Sequence, residues 1–178
     1  MLTCAALAFL PHAFAGEPGP AMPPAFADAL PAARFAGEGR LTWWGFAAYD
    51  AKLWVAPGFT QRRFDEHGLA LELVYLRNFR ADDIVRVSLE QMRRAGDLPR
   101  ERVQRWAQQL RAVLHDVAPG DRIAAINRPG HGAAFFINGK PMGEVADAQF
   151  ARLFFGIWLG PSTSEPSLRG ALLGDTPP

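Results

Sequence analysis

Leu69, Leu71, Leu73 and Tyr75 alternate with Ala70, Glu72 and Val74, which is the two-residue period of a half-buried strand. Upstream, Arg40–Ala48 and Tyr49–Ala56 are rich in aromatic and apolar residues and stop at Pro57-Gly58, a turn signal. These three segments predict an antiparallel sheet. The period then changes. Ile84, Val87, Gln91 and Met92 share one face of a helix that ends at Ala95-Gly96. Val103, Trp106, Leu110, Val113 and Leu114 recur at helical spacing between Pro99 and Pro119-Gly120. Strand signals return at Arg122–Asn127 and Ala133–Ile137, and Asn138-Gly139, the strongest short hairpin cue, leads to Met142–Val145. Asp147 is a good N-cap for a helix with the apolar stripe Phe150, Leu153, Phe154, Ile157 and Trp158. Gly160-Pro161 stops that helix, and Pro166–Leu173 predicts a short closing one. Strands, helices, strands, helices, with no internal repeat, predict an α+β domain whose helices lie against one face of a large antiparallel sheet.

The first residues read as an address. Leu2–Leu10 is apolar and is followed by Ala13-Phe14-Ala15, the pattern of a secretory signal peptide cut after Ala15. The run is far shorter than the roughly 20 residues a spanning helix needs, so no transmembrane segment is expected after cleavage. No Lys or Arg precedes it, so the start of translation is read as lying upstream of Met1. The expected organisation is a signal peptide over 1–15, a Pro-rich leader over 16–36, the domain over 37–173 and a tail over 174–178. The expected destination is the periplasm. Removal of the first fifteen residues takes away Cys4, the single cysteine, which suits an oxidising compartment.

Composition narrows the chemistry. The chain has 178 residues, enough for one ordinary domain. A formal charge of +1 gives no basic field for nucleic acid. There is no phosphate loop, no dinucleotide fingerprint, no nucleophile elbow and no zinc-protease motif. His67, His115 and His131 are scattered without metal-ligand spacing, and no metal or cofactor is expected. The Trp43-Trp44 pair suits stacking on bases or lipids, or packing of one indole in the core. Arg40 follows Gly37-Glu38-Gly39 and opens an otherwise uncharged stretch. A buried guanidinium is costly unless an anion compensates it. Arg40 is therefore either a solvent-exposed strand end or a cleft cation that, beside a Tyr hydroxyl, grips a carboxylate.

The order of these features resembles the chalcone isomerase fold family. Gly39-Arg40 and then Tyr49-Asp50-Ala51-Lys52-Leu53-Trp54 resemble its paired opening strands. The likeness continues through Arg93-Arg94-Ala95-Gly96, Pro119-Gly120-Asp121, Pro129-Gly130 and the Ile157-Trp158-Leu159-Gly160 segment, which is similar to that of bacterial exported members. The resemblance spans about Gly37 to Leu173. It implies an open-faced β-sandwich with a cleft between sheet and helices, in a family holding both an isomerase and non-catalytic fatty-acid-binding proteins. Carried over by position, the family's Arg falls on Arg40 and its Thr on Tyr49, as in the fatty-acid-binding branch. A late Ser/Thr falls near Thr163 or Ser164. The family's Tyr and Asn fall near Arg80 and Val87, and Val87 offers no hydrogen bond. Loss of one oxyanion donor typically costs ~10²–10³ in rate, so the resemblance implies a binding protein without catalytic residues. Its ligand would be a small amphipathic molecule such as a fatty acid, held by Arg40, Tyr49, Thr163 and Ser164. The alternatives are an isomerase or lyase for an enone or phenolic substrate, and an envelope interaction module with a vestigial cleft. The oligomeric state is left open.

Overall fold

The computed structural model describes residues 20–43, 45–174 and 176; the signal-peptide reading of residues 1–15 lies outside them. Six strands, β1 (Arg34–Trp43), β2 (Phe46–Val55), β3 (Leu69–Tyr75), β4 (Arg122–Arg128), β5 (Gly132–Ile137) and β6 (Lys140–Val145), pair in chain order, each antiparallel to the next. The helices are α1 (Pro24–Ala27), α2 (Ala81–Arg93), α3 (Arg100–Val113), α4 (Ala148–Leu159) and α5 (Pro166–Leu173). A 3-10 segment covers Gln61–Glu66. Leu53, Leu71, Leu73, Ala125 and Phe135 face α2 to α5 and share one core with them. This is the α+β arrangement that the sequence predicts, an antiparallel sheet with a helical layer on one face.

Two boundaries and one helix face differ from the sequence reading. Arg40–Ala48 is not one strand. A hairpin turn containing Gly45, at φ 78°, splits it into the end of β1 and the start of β2. β1 begins at Arg34, inside the span read as leader, because Arg34 and Phe35 pair with Val55 and Trp54. The buried face of α2 is Val85, Ser88, Leu89 and Met92, not the face through Val87, which is exposed. Ser88 concealed that face, since a small hydroxyl within an apolar stripe reads as polar.

The opposite face of the sheet has its own small core. Trp54, Ala70, Ala124 and Ile126 lie under Phe26 and Leu30 of the N-terminal segment. Trp54 Nε1 donates to the Pro20 carbonyl at 3.2 Å. The Pro-rich stretch thus wraps the sheet from residue 20 onward, and Pro24 sits at the start of α1, where its missing N–H is not needed. Beside this apolar patch the same face carries charge: Arg40 pairs with Asp50, Lys52 with Glu38 at 3.9 Å, and Arg122 with Glu72 at 3.9 Å.

Glu72 is the buried member of that array, with its side chain 5% exposed. Burial pushes its carboxyl above the ordinary range, against the opposing pull of Arg122 and Lys52. A carboxyl raised on folding favours the native state while protonated and loses that contribution as pH rises through the folded value. Glu72→Gln is therefore expected to raise the melting temperature at neutral pH and to leave it unchanged in mild acid. Thermal melts of both proteins at the two pH values check this; stabilisation equal at both would assign the effect to something other than charge burial.

At the edge of the sheet, α5 lies directly on β1. An added Cβ at Gly37 would run into the Ala171 carbonyl oxygen and come within 2.7 Å of the Leu172 oxygen. One at Gly39 would meet Leu168 Cδ1 at 2.7 Å. The pair Gly37 and Gly39 is explained by this close approach of α5, through its backbone at Gly37 and its side chains at Gly39.

Candidate functional site

Alternation along a strand sends successive side chains to opposite faces, and this decides the fate of the predicted site. Arg40 stands opposite Asp50 across β1 and β2, while Leu41 stands opposite Tyr49. Arg40 and Asp50 form a two-pronged ion pair on the outer face, Nε to Oδ1 at 2.6 Å and Nη2 to Oδ2 at 2.9 Å. The Arg40 side chain is 57% exposed. The pair holds the Asp50 carboxyl below its usual range and raises the guanidinium. Tyr49 points the other way, against the core shared with the helices. The structure does not bring Arg40 and Tyr49 together. The expectation that both grip one ligand head is corrected by strand geometry: residues on opposite faces of one sheet cannot share a cleft.

What surrounds Tyr49 is a different set. α4 is placed by its N-cap: Asp147 Oδ1 accepts from Phe150 N at 3.0 Å, and Asp147 Oδ2 accepts from Trp106 Nε1 at 3.0 Å, tying α4 to α3. At the far end of α4, Trp158 Nε1 donates to Tyr49 Oη at 2.9 Å. The Tyr49 ring meets Tyr75 edge-on at 5.8 Å, and Tyr75 meets Phe79 at 5.5 Å. On the helical side, Trp158 continues through Phe154 to Phe135 and Phe150 at centroid distances of 5.3 to 5.4 Å. Burial raises both phenols well above the ordinary tyrosine value, with the nearby Glu165 charge adding to the effect at Tyr49. Tyr49 is thus a neutral hydroxyl in an aromatic wall. Its oxygen already accepts a hydrogen bond, which leaves its proton polarised and able to donate.

Thr163 and Ser164 lie in the α4–α5 connection beside Glu165. Thr163 Oγ1 donates to the Ile157 carbonyl at 2.7 Å and accepts from Glu165 N at 3.1 Å. Ser164 Oγ donates to Gln91 Oε1 at 3.2 Å. Both hydroxyls hold the turn that closes α4 and position Glu165 and α5. The residue that sequence reasoning missed as a site member is Trp158. A Trp inside an apolar stripe needs a partner for its N–H, and that need was the available signal.

A shallow groove of about 330 Å³ is lined by Asn78, Phe79, Arg80, Asp116, Val117, Ala118 and Asp121. Its two carboxylates already serve the fold: Asp116 accepts from Ala81 N and Asp121 from Ala118 N, each at 2.8 Å. Arg80, the position matched to the isomerase tyrosine, sits at its rim, and Val87 is exposed on α2. Among the described residues no group of three or more His, Cys, Asp or Glu could hold a metal, and no helix is long and apolar enough to cross a membrane.

Comparison with known proteins gives this arrangement relatives. Residues 42–174 match the family described as chalcone isomerase-like. An uncharacterized protein of Haemophilus influenzae is 28% identical over 144 residues, covering 79% of this chain and 67% of its own length. The crystal structure of an Arabidopsis thaliana fatty-acid binding protein superposes with a TM-score of 0.62 at 14% identity, covering 79% of this chain and 86% of that one.

Proposed function

The chain belongs to the chalcone isomerase-like family, and on that premise we propose that it is a non-catalytic binding protein for a small amphipathic molecule of the fatty-acid class, held at the sheet–helix layer beside Tyr49. The observation that carries this reading is the Trp158-to-Tyr49 hydrogen bond, which sets one polarised O–H donor in an otherwise apolar aromatic wall. A ligand site of this kind needs few polar groups, and those it has fix orientation. The Arabidopsis protein of similar fold is a fatty-acid binding protein, which supports testing that ligand class first.

Cyclisation of an enone needs a cation beside the phenolate and donors at the ketone oxygen. Arg40, the residue the resemblance offers as the cation, lies on the other face with its charge taken up by Asp50. That separation favours binding over catalysis. It also changes the expected ligand chemistry: the head group meets a neutral donor, and the Glu165 charge disfavours a bare carboxylate. The exported location expected from residues 1–15 belongs to the same proposal, and cell fractionation tests it.

The main test is lipid extraction and mass spectrometry of the purified protein, followed by titration with oleic acid and methyl oleate. Tyr49→Phe is expected to weaken binding by roughly three- to tenfold, the worth of one hydrogen bond, and Arg40→Ala to leave it unchanged. An optical chalcone cyclisation assay is expected to show no turnover. Loss of binding in Arg40→Ala with Tyr49→Phe unaffected would overturn the site. A second reading, an interaction module with a vestigial cleft, is favoured by the continuous aromatic packing from Phe135 to Tyr49; a protein that carries and binds no lipid would establish it over the first.

A further inference from the structure

We propose that the tip of the β1–β2 hairpin, at Gly45 and Phe46 with Arg77 beside it, docks on the surface of an anionic phospholipid bilayer. From Leu41 to Ala48 the chain carries no charge, and three of the four residues at the turn are aromatic. The turn itself does not ask for them. Gly45 supplies the positive φ, and short hairpin connections favour small polar residues next to such a glycine. Phe46 is 61% exposed, although large apolar side chains are otherwise mostly buried; among the described residues only Val87 joins it as an exposed large hydrophobic.

Charge complementarity selects the occupant. The Arg77 guanidinium lies 4.7 Å from the centre of the Phe46 ring. Neither Arg77 nor Arg80 forms an ion pair among the described residues, and the next acid along the chain is Asp82. The acid at the base of the hairpin, Asp50, is held by Arg40. An uncharged tip that exposes the Phe46 ring with the Arg77 guanidinium beside it fits the bilayer interface, where an aromatic body enters the headgroup boundary and a basic residue meets anionic lipid. A second copy fits less well, because a two-fold contact through this tip would set Arg77 against Arg77.

The test uses the full chain and vesicles of phosphatidylglycerol with phosphatidylcholine, against vesicles of phosphatidylcholine alone. Sedimentation with the anionic vesicles is expected, with release by salt. Phe46→Ser should weaken binding by about tenfold or more, as loss of one buried aromatic ring implies. Arg77→Gln should weaken it by roughly fivefold, the share of one basic residue at an anionic surface. Val87→Ser, the other exposed apolar site, should bind as the wild type does, and all three should melt like it. No binding to anionic vesicles, or equal binding by Phe46→Ser and Arg77→Gln, would overturn the proposal. So would a concentration-dependent dimer that Phe46→Ser abolishes in the absence of vesicles, since the occupant would then be a second copy.

Discussion

Replacing Gly37 with valine is expected to cost more than about 3 kcal/mol, the upper end of ordinary overpacking penalties, because the added atoms have nowhere to go. The obstacle at Gly37 is the backbone of α5, through the Ala171 and Leu172 carbonyl oxygens, and not a side chain that can swing aside. Relief requires α5 to lift from β1, which would expose Leu168, Leu172 and Leu173, all now buried. Gly37→Ala should already show much of the effect. The control lies on the same helix: nothing stands within 4 Å of a Cβ at Gly170. Gly170→Ala is expected to stabilise by roughly 0.5–1 kcal/mol, the usual gain over glycine inside a helix. Urea denaturation of the three variants measures both signs. A Gly37→Val protein as stable as the wild type would mean that α5 does not press on β1 as described.

The second large effect is expected at Asp147. One carboxylate there does two tasks, capping α4 at Phe150 N and accepting the Trp106 indole N–H. Asp147→Ala removes the cap, worth about 1 kcal/mol, and strands the N–H of a buried indole, worth a further ~1–3 kcal/mol. Asp147→Asn separates the two tasks. Its oxygen can cap the helix, but its amide N–H₂ then faces another donor at Trp106, so only part of the loss should be recovered. Trp106→Phe in the Asp147→Asn background should make that residual penalty vanish, since no indole N–H remains. A double-mutant cycle followed by thermal melts checks this, and additive effects would show that the indole contact contributes nothing.

Much of the fold was legible because its signals are local. Asn138-Gly139 forms its hairpin, with Asn138 at φ 51° and Gly139 at φ 77°. Asp147 caps α4, and Pro166 opens α5. Where the signal was ambiguous, the reading slipped. On α2, the face read through Val87 lies one step round from the one that packs, although Ile84 and Met92 do meet the core, and only contact with α3 and α4 distinguishes the two faces. The β1–β2 turn was hidden because aromatic residues around it look like strand interior.

The candidate site was less legible for a deeper reason. Arg40 and Tyr49 lie on the two arms of a hairpin, and which of them faces inward depends on where the turn falls and on the register. With Tyr49 opposite Leu41, Arg40 is sent outward. A turn placed one residue away would set Arg40 directly opposite Tyr49, with both side chains on one face. Composition has no access to that parity, and a residue-by-residue carry-over from a resembling family preserves identity without preserving direction. The Trp158–Tyr49 bond spans 109 residues of sequence, and nothing local announces it.

The seat of α5 on β1 also governs the order in which the molecule can be completed. Each strand adds to the one made just before it, so the sheet can grow as the chain emerges. Residues 166–173, however, cover a strand that begins at Arg34. Until the ribosome has passed them, the inner flank of β1 stays bare and available to other chains or to chaperones. Any truncation within those eight residues should therefore leave a nascent-like, adhesive protein in place of a slightly shorter native one.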